Sequence, residues 1–394
     1  MKTKKIHIAL FVLFFVGIIF LNACRPIRNF MSRPRPWSGE CKIKSKLPEY
    51  DIRKKTVFII ADYKLTEQFD MLAPFYLFNA TEKANVYIVA KDKLPILIKR
   101  NLFVMPQLTF KEADSMKLPA DAIVIPALSI RDEKQDTILI AWIKKHFTPV
   151  TKMLAICDGA STAAATRFYD GKLITTHASD YDGIKAHFNK PEWIQNVSVT
   201  KSGNLFSTGG VSNAVEGSLT VIEELFGHET MQKVLNDIHY PYPEVKLAHQ
   251  SIELNGRNKF TVVKKILFRK NKSIAALLTN GMNEFDMACI IDTYGRTFPA
   301  SFNTYILSDS TVQTKYGLSL INTGEGIGKS IDELHVIMPA SLTKEDESLF
   351  FKNARIIRYD NLQKQYMINI CLKRIDEQYG QQFKNFVKIS LDYN

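Results

Sequence analysis

From residue 56 onward, short apolar runs alternate with longer amphipathic stretches. TVFIIA (56–61), ANVYIVA (84–90) and DAIVIPA (121–127) are apolar at nearly every position. That is the pattern of strands buried on both faces of a parallel sheet. TEQFDMLAPFYLFNATE (66–82), DTILIAWIKKHF (136–147) and AVEGSLTVIEELFG (214–227) carry helical spacing, the last ending at a glycine. KLITTH (172–177) and NLFSTGG (204–210) predict further strands. KMLAICDGA (152–160) predicts strand, sharp turn and helix. Strands alternating with helices predict an α/β sheet with helices on both faces.

The chain also matches itself. TEQFDMLAPFYLF (66–78) returns as MNEFDMACIIDTY (282–294), each after a strand-like run, TVFIIA and SIAALLT. NVYIVAKD (85–92) returns as NTYILSDS (303–310), and DAIVIPALS (121–129) loosely as ELHVIMPAS (333–341). EELFGHETMQKVLNDIHYP (223–241) pairs without a gap with DEQYGQQFKNFVKISLDYN (376–394). The expected organisation is a signal or anchor segment (1–24), a basic linker (25–54), a first domain (55–241), a linker (242–272) and a degenerate second copy (273–394). The second copy lacks the counterpart of roughly 132–212, and so lacks Cys157; its Cys371 falls mid-helix with no glycine after it. TGEGIGKS (323–330) is one residue short of a phosphate-binding P-loop and sits where the first copy has an ordinary connection, so nucleotide binding is not expected.

Charge locates a membrane-proximal segment. Of the formal +12, residues 1–24 carry +3 and residues 25–55 carry +7, leaving +2 for the body. A basic stripe beside an apolar run reads as membrane-proximal rather than as a nucleic-acid face. Lys2, Lys4 and Lys5 precede an apolar run, Ile8 to Leu21, that ends in Leu21-Asn22-Ala23-Cys24. The ending resembles a bacterial lipoprotein signal with Cys24 as the lipidated residue; an uncleaved anchor and a cleaved export signal stay open. A bacterial, membrane-anchored protein with its body outside the cytoplasm is expected. The five cysteines, 24, 41, 157, 289 and 371, form no CxxC or Cys/His cluster. Neither a disulfide framework, a metal site nor a cofactor is expected.

The candidate chemistry centres on Cys157. A thiol on a strand-to-helix turn projects toward the crevice at the strand ends, with Gly159 making room for the turn. The helix start and the Asp158 N–H favour a thiolate and an oxyanion. A small buried core cysteine fits the same stretch.

LAICDGASTAAATRFYDGKLITTHASDYDGI and FSTGGVSNAVEGSLTVIEELFG resemble the ThiJ/PfpI superfamily of class I glutamine amidotransferase-like proteins. They are most similar in style to the sensor domains of AraC-type regulators and to membrane-anchored relatives without the DNA-binding part. The resemblance implies a flavodoxin-like parallel sheet, here in two tandem copies with the second truncated. It implies Cys157 as the elbow nucleophile, Asp70 as the acid that approaches it, and His177 as a pocket histidine and potential base. Asp158, Gly159 and Ala127 would form the oxyanion pocket. The chain differs from the protease-like branch in having Asp158, not His, after the nucleophile, and a carboxylate beside a thiolate raises its pKa. Two readings follow: a membrane-tethered small-molecule binding or sensor protein, and a cysteine-dependent hydrolase or hydratase acting on a small amide, isonitrile or carbonyl compound. The partners expected are a small molecule and, through the N-terminus, a membrane; no nucleic acid is expected, and the resemblance allows a homodimer.

Overall fold

The computed structural model describes residues 26–27, 34–43, 47–99, 102–128, 137–307, 311–322, 330–338, 341–359 and 364–393. The run 8–21, Cys24 and residues 323–329 lie outside them. No helix among the described residues is long and apolar enough to cross a membrane.

The first unit runs β1 (Lys55–Ala61), α1 (Gln68–Ala80), β2 (Ala84–Ala90), β3 (Ile96–Lys99), β4 (Leu102–Val104), β5 (Leu108–Thr109), α2 (Phe110–Ser115), β6 (Ala122–Ile125), α3 (Thr137–His146), β7 (Lys152–Ala155), α4 (Gly159–Ala165), β8 (Leu173–Ile174), α5 (Tyr181–His187), β9 (Glu192–Trp193), β10 (Val199–Ser202), β11 (Leu205–Thr208), α6 (Ala214–Phe226) and α7 (His228–Asp237). The rest runs α8 (Gly256–Phe268), β12 (Ser273–Leu277), α9 (Glu284–Gly295), β13 (Ser301–Tyr305), β14 (Thr311–Gln313), β15 (Ser319–Asn322), β16 (Glu333–Val336), α10 (Lys344–Phe350), β17 (Arg355–Arg358), α11 (Met367–Tyr379) and α12 (Gln381–Ser390).

The main sheet has the order β10-β11-β7-β6-β1-β2-β5, parallel except where β10 meets β11. Alternate side chains feed two cores. Val57 and Ile59 join the core under α1, α6 and α7, while Phe58 and Ile60 join the one under α3 and α4. This is the expected α/β sheet covered on both faces. A second parallel sheet has the order β13-β12-β16-β17, the same neighbour order as β2-β1-β6-β7.

A helix pair and a shared sheet are among the contacts that join the units. Helix α1 is buried at every position except Asn79, which explains why its sequence is apolar all round. Its outer side is covered by α9: the Phe69 and Phe285 rings lie 6.0 Å apart, and the Gln68 amide donates to the Ala288 carbonyl at 3.1 Å. Strand β4 pairs antiparallel with β15, giving a shared sheet β14-β15-β4-β3.

Three stretches differ from the sequence reading. KLITTH is strand only at Leu173–Ile174, and Thr175 to His177 form a loop. Part of the basic linker is packed: Trp37 stands edge-on to Phe103, and Cys41 and Ile43 join Leu97, Met105 and Ile321 on the shared sheet. The stretch 242–272 holds α8, started by a reciprocal cap between Asn255 and Asn258.

Candidate functional site

Cys157 sits where β7 ends. Its φ is +53°, a left-handed backbone that costs a side-chain-bearing residue about 1–2 kcal/mol. The surroundings hold it there. Ile156 N–H donates to the Ile125 carbonyl at 2.9 Å, and Gly159 N–H to the Ile156 carbonyl at 2.8 Å. Helix α4 starts so close to the end of β6 that a Cβ on Gly159 would lie 2.1 Å from the Ile125 oxygen. The expected sharp elbow is present, and Gly159 acts as its seat. The Thr176 hydroxyl donates to the Cys157 carbonyl at 2.9 Å, with Asp158 Oδ1 at 3.3 Å. The sulfur's residue is 6% exposed.

The acid side of the site comes from the loops after β1 and β6, which are zipped together. Thr66 bridges Leu128, and Glu67 N–H donates to the Ala127 carbonyl at 2.9 Å. Glu67 caps α1 by accepting the Asp70 N–H at 2.7 Å. Asp70 is fully buried; its Oδ2 accepts the Ala127 N–H at 3.0 Å, and its Oδ1 has no hydrogen-bond partner. The Ala127 N–H, expected as an oxyanion donor, is therefore spent on Asp70.

Electrostatics follow from this crowding. Burial pushes the Cys157 thiol well above its usual range, and the charges of Asp70, Asp158 and Glu67 push the same way, against a smaller contribution from the Asp158 N–H. Burial, then Glu67, Asp158 and Asp292, raise the Asp70 carboxyl well above the carboxylate range despite the Ala127 bond. Burial and Asp292 raise Glu67 to about 7, opposed by the Asp70 N–H, Arg296 and Lys99. The helix start was expected to favour the thiolate; three nearby carboxyls and burial outweigh it.

His177 does not join the thiol. Its Nδ1 accepts from the Ser179 N–H at 3.1 Å and lies 2.6 Å from the Ser179 hydroxyl. Burial lowers its pKa, helped by Arg296 and opposed by Asp392 and Asp180, so the ring is neutral. It packs against Gly210, where a Cβ would stand 2.5 Å from the imidazole and 2.2 Å from the Asp392 side chain. Among the described residues no hydrogen bond links His177 to Cys157, so the role of base is not supported by the geometry.

Residues of the second unit close the site. Asp392 accepts the Gly210 N–H at 2.7 Å and lies 3.0 Å from His249 Nε2. Ser212 N–H donates to the Leu391 carbonyl and its hydroxyl to the Asp392 carbonyl. Arg296 is held by Asp292 at 3.0 Å and donates to the Ser390 carbonyl at 2.5 Å. Its positive charge acts on Glu67 and His177 and would be favoured by a Cys157 thiolate. Sequence reasoning missed Glu67, Arg296 and Asp392. An acid three residues before Asp70 was a readable cap signal for Glu67; nothing local pointed to the other two. Among the described residues no group of three or more His, Cys, Asp or Glu could hold a metal ion.

Comparison with known proteins bears on the first unit. The model of the DJ-1/PfpI family matches residues 54–224. The first unit is a DJ-1/PfpI domain. This DJ-1/PfpI domain is similar to an isonitrile hydratase of Pseudomonas putida, 25% identical over 177 residues, covering 44% of this chain and 74% of that protein. It is also similar to a Parkinson disease protein 7 homolog of Danio rerio, 24% identical over 185 residues, covering 46% and 94%. Similar solved structures include Drosophila melanogaster DJ-1beta (20% identity, 46% of this chain and 96% of that chain, TM-score 0.41). A ThiJ/PfpI family protein from Pseudomonas syringae is another (20% identity, 48% and 76%, TM-score 0.41).

Proposed function

We propose that this chain is a membrane-tethered DJ-1/PfpI-type binding or sensor protein for a small molecule, with Cys157 as its pocket thiol. The observation that carries the reading is the burial of Cys157, whose thiol is pushed up by burial and by the charges of Asp70, Asp158 and Glu67. The thiolate is the nucleophile, and this site disfavours it at neutral pH. Asp70 Oδ1, buried and without a hydrogen-bond partner, is left to meet a polar ligand. The test is steady-state turnover of a small isonitrile, a 2-oxoaldehyde and a small amide by the full chain and by Cys157→Ala. The proposal expects equal, background rates for both, together with saturable thermal stabilisation of the wild-type chain by a bound compound. Multiple turnovers that vanish in Cys157→Ala would overturn it.

That outcome would support the second reading, a cysteine-dependent hydrolase or hydratase. The similarity to an isonitrile hydratase favours it specifically. There Cys157 would attack the substrate carbon and Asp70 would handle protons.

The tether reading rests on the N-terminal run and the +7 segment after it. It places the body outside the cytoplasm and makes Cys24 a lipidation site. Metabolic lipid label lost in Cys24→Ala supports this; label that persists there rules out Cys24 as the site, and no label on the wild-type chain leaves the uncleaved anchor. We also read residues 273–394 as a degenerate second copy. The shared strand order supports this, as do Gly227 (φ 85°, ψ 164°) and Gly380 (φ 87°, ψ 164°), which join corresponding helix pairs.

A further inference from the structure

Helix α8 presents an apolar stripe to solvent. Its inner face, Val262, Lys265 and Ile266, is buried, and the helix packs on α12. On the opposite side Phe260 is 67% exposed, Val263 43% and Phe268 75%. Residues three and eight positions after Phe260 share its face, so Val263 and Phe268 continue one exposed stripe, with Leu267 half-buried between them and packed on the core. Arg257 and Lys264 lie within that stripe, Lys259 flanks it, and Arg269 follows Phe268 directly as the C-cap of the helix. The segment 256–272 contains no acid. Lys270 and Lys272 are engaged by Asp332 and Glu333, whereas Arg257, Lys259, Lys264 and Arg269 make no ion pair among the described residues. Two aromatic rings left in water beside free cations form a face that suits an apolar, anionic surface.

We propose that α8 is a membrane-docking helix: the Phe260–Phe268 stripe lies in the interface of an anionic lipid bilayer, with Arg257, Lys259, Lys264 and Arg269 against the headgroups. Pairing of this face with a second copy is disfavoured, because a two-fold contact would set the same cations against each other. The choice of a bilayer over an acidic protein rests on the tether reading above, which holds the same chain at a membrane. The Lys and Arg side chains would bind headgroup phosphates while the rings sit at the acyl boundary.

The test uses the full chain carrying Phe260→Trp, mixed with vesicles of brominated phosphatidylcholine with and without phosphatidylglycerol. Quenching in excess of the wild-type chain reports position 260. The expected result is strong excess quenching with phosphatidylglycerol, several-fold less without it, and several-fold loss when Lys259→Glu and Lys264→Glu are added. Vesicle flotation of the same samples reads the tether separately. Flotation without excess quenching leaves the tether intact and overturns the docking. Quenching equal in both lipids overturns the headgroup contact. A dimer in sedimentation that Phe260→Glu dissociates overturns the bilayer in favour of a second copy.

Discussion

Gly159→Ala tests the seat of the elbow. The new Cβ would meet the Ile125 oxygen at 2.1 Å, the Pro126 oxygen at 2.7 Å and the Ile125 carbon at 2.9 Å. Ordinary carbon–oxygen contact begins at about 3.3 Å, so the overlap with Ile125 exceeds 1 Å. The obstacle is backbone, and the Ile125 oxygen is already bonded to Ile156 N–H, so no side-chain rotation relieves it. Helix α4 must retreat from β6 and carry Asp158 and Cys157 with it. Overpacking costs about 1–3 kcal/mol and more where backbone resists; the helix-propensity gain of alanine, about 1 kcal/mol, offsets part of this. The net loss expected is about 2–4 kcal/mol in urea unfolding. Gly183, inside α5, is the matched control, because a Cβ there meets nothing within 4 Å. Gly183→Ala should leave stability unchanged or raise it by up to about 1 kcal/mol. If the two variants behave alike, the close approach of α4 to β6 is wrong, and the elbow with it.

Three other substitutions probe the charge pattern. Because the Asp70 carboxyl titrates above its unfolded value, the folded chain bears a penalty that grows as pH rises from about 4. Asp70→Asn should therefore gain stability over the wild type toward pH 8, by up to about 1.4 kcal/mol per pH unit, with no gain near pH 4; unfolding curves across pH check the sign. Arg296→Ala strips the cation from Asp292 and Glu67 and should cost about 3 kcal/mol, while the double variant with Asp292→Ala should cost less than the sum in a mutant cycle. Asp392→Ala removes the acceptor of Gly210 N–H and the partner of His249, and should cost about 2 kcal/mol and speed labelling of Cys157 by opening the closure over the site.

The parts of the fold written in local pattern were readable from sequence. The runs at 56–61, 84–90 and 121–127 are buried strands because nearly every position is apolar, and Cys157 followed by Asp158 and Gly159 marks the turn. Asp70 was placed by the family resemblance, which implies an acid from the first helix region beside the cysteine. What escaped depends on which groups meet. The Ala127 N–H looks equally available to an oxyanion or to a carboxyl, and only the zipped loops commit it to Asp70. His177 lies near the pocket in sequence pattern, yet Ser179 takes its Nδ1. Arg296 and Asp392 reach the site from more than 100 residues away. The expectation that a helix start favours the Cys157 thiolate is opposed by burial and by three carboxyls, which push the thiol the other way. Helix α8 was missed because a linker was assumed between the copies, although Phe260, Val263, Leu267 and Phe268 carry helical spacing.

The central claim is that Cys157 is held as a thiol by burial and by its acidic neighbours. Iodoacetamide labelling of the Cys157 peptide against pH, followed by mass spectrometry, measures this directly. The account predicts slow labelling at neutral pH, an apparent pKa above the usual value of about 8.5, and a lower one in Asp70→Asn. Rapid labelling below neutral pH in the wild-type chain, unchanged by Asp70→Asn, would contradict it.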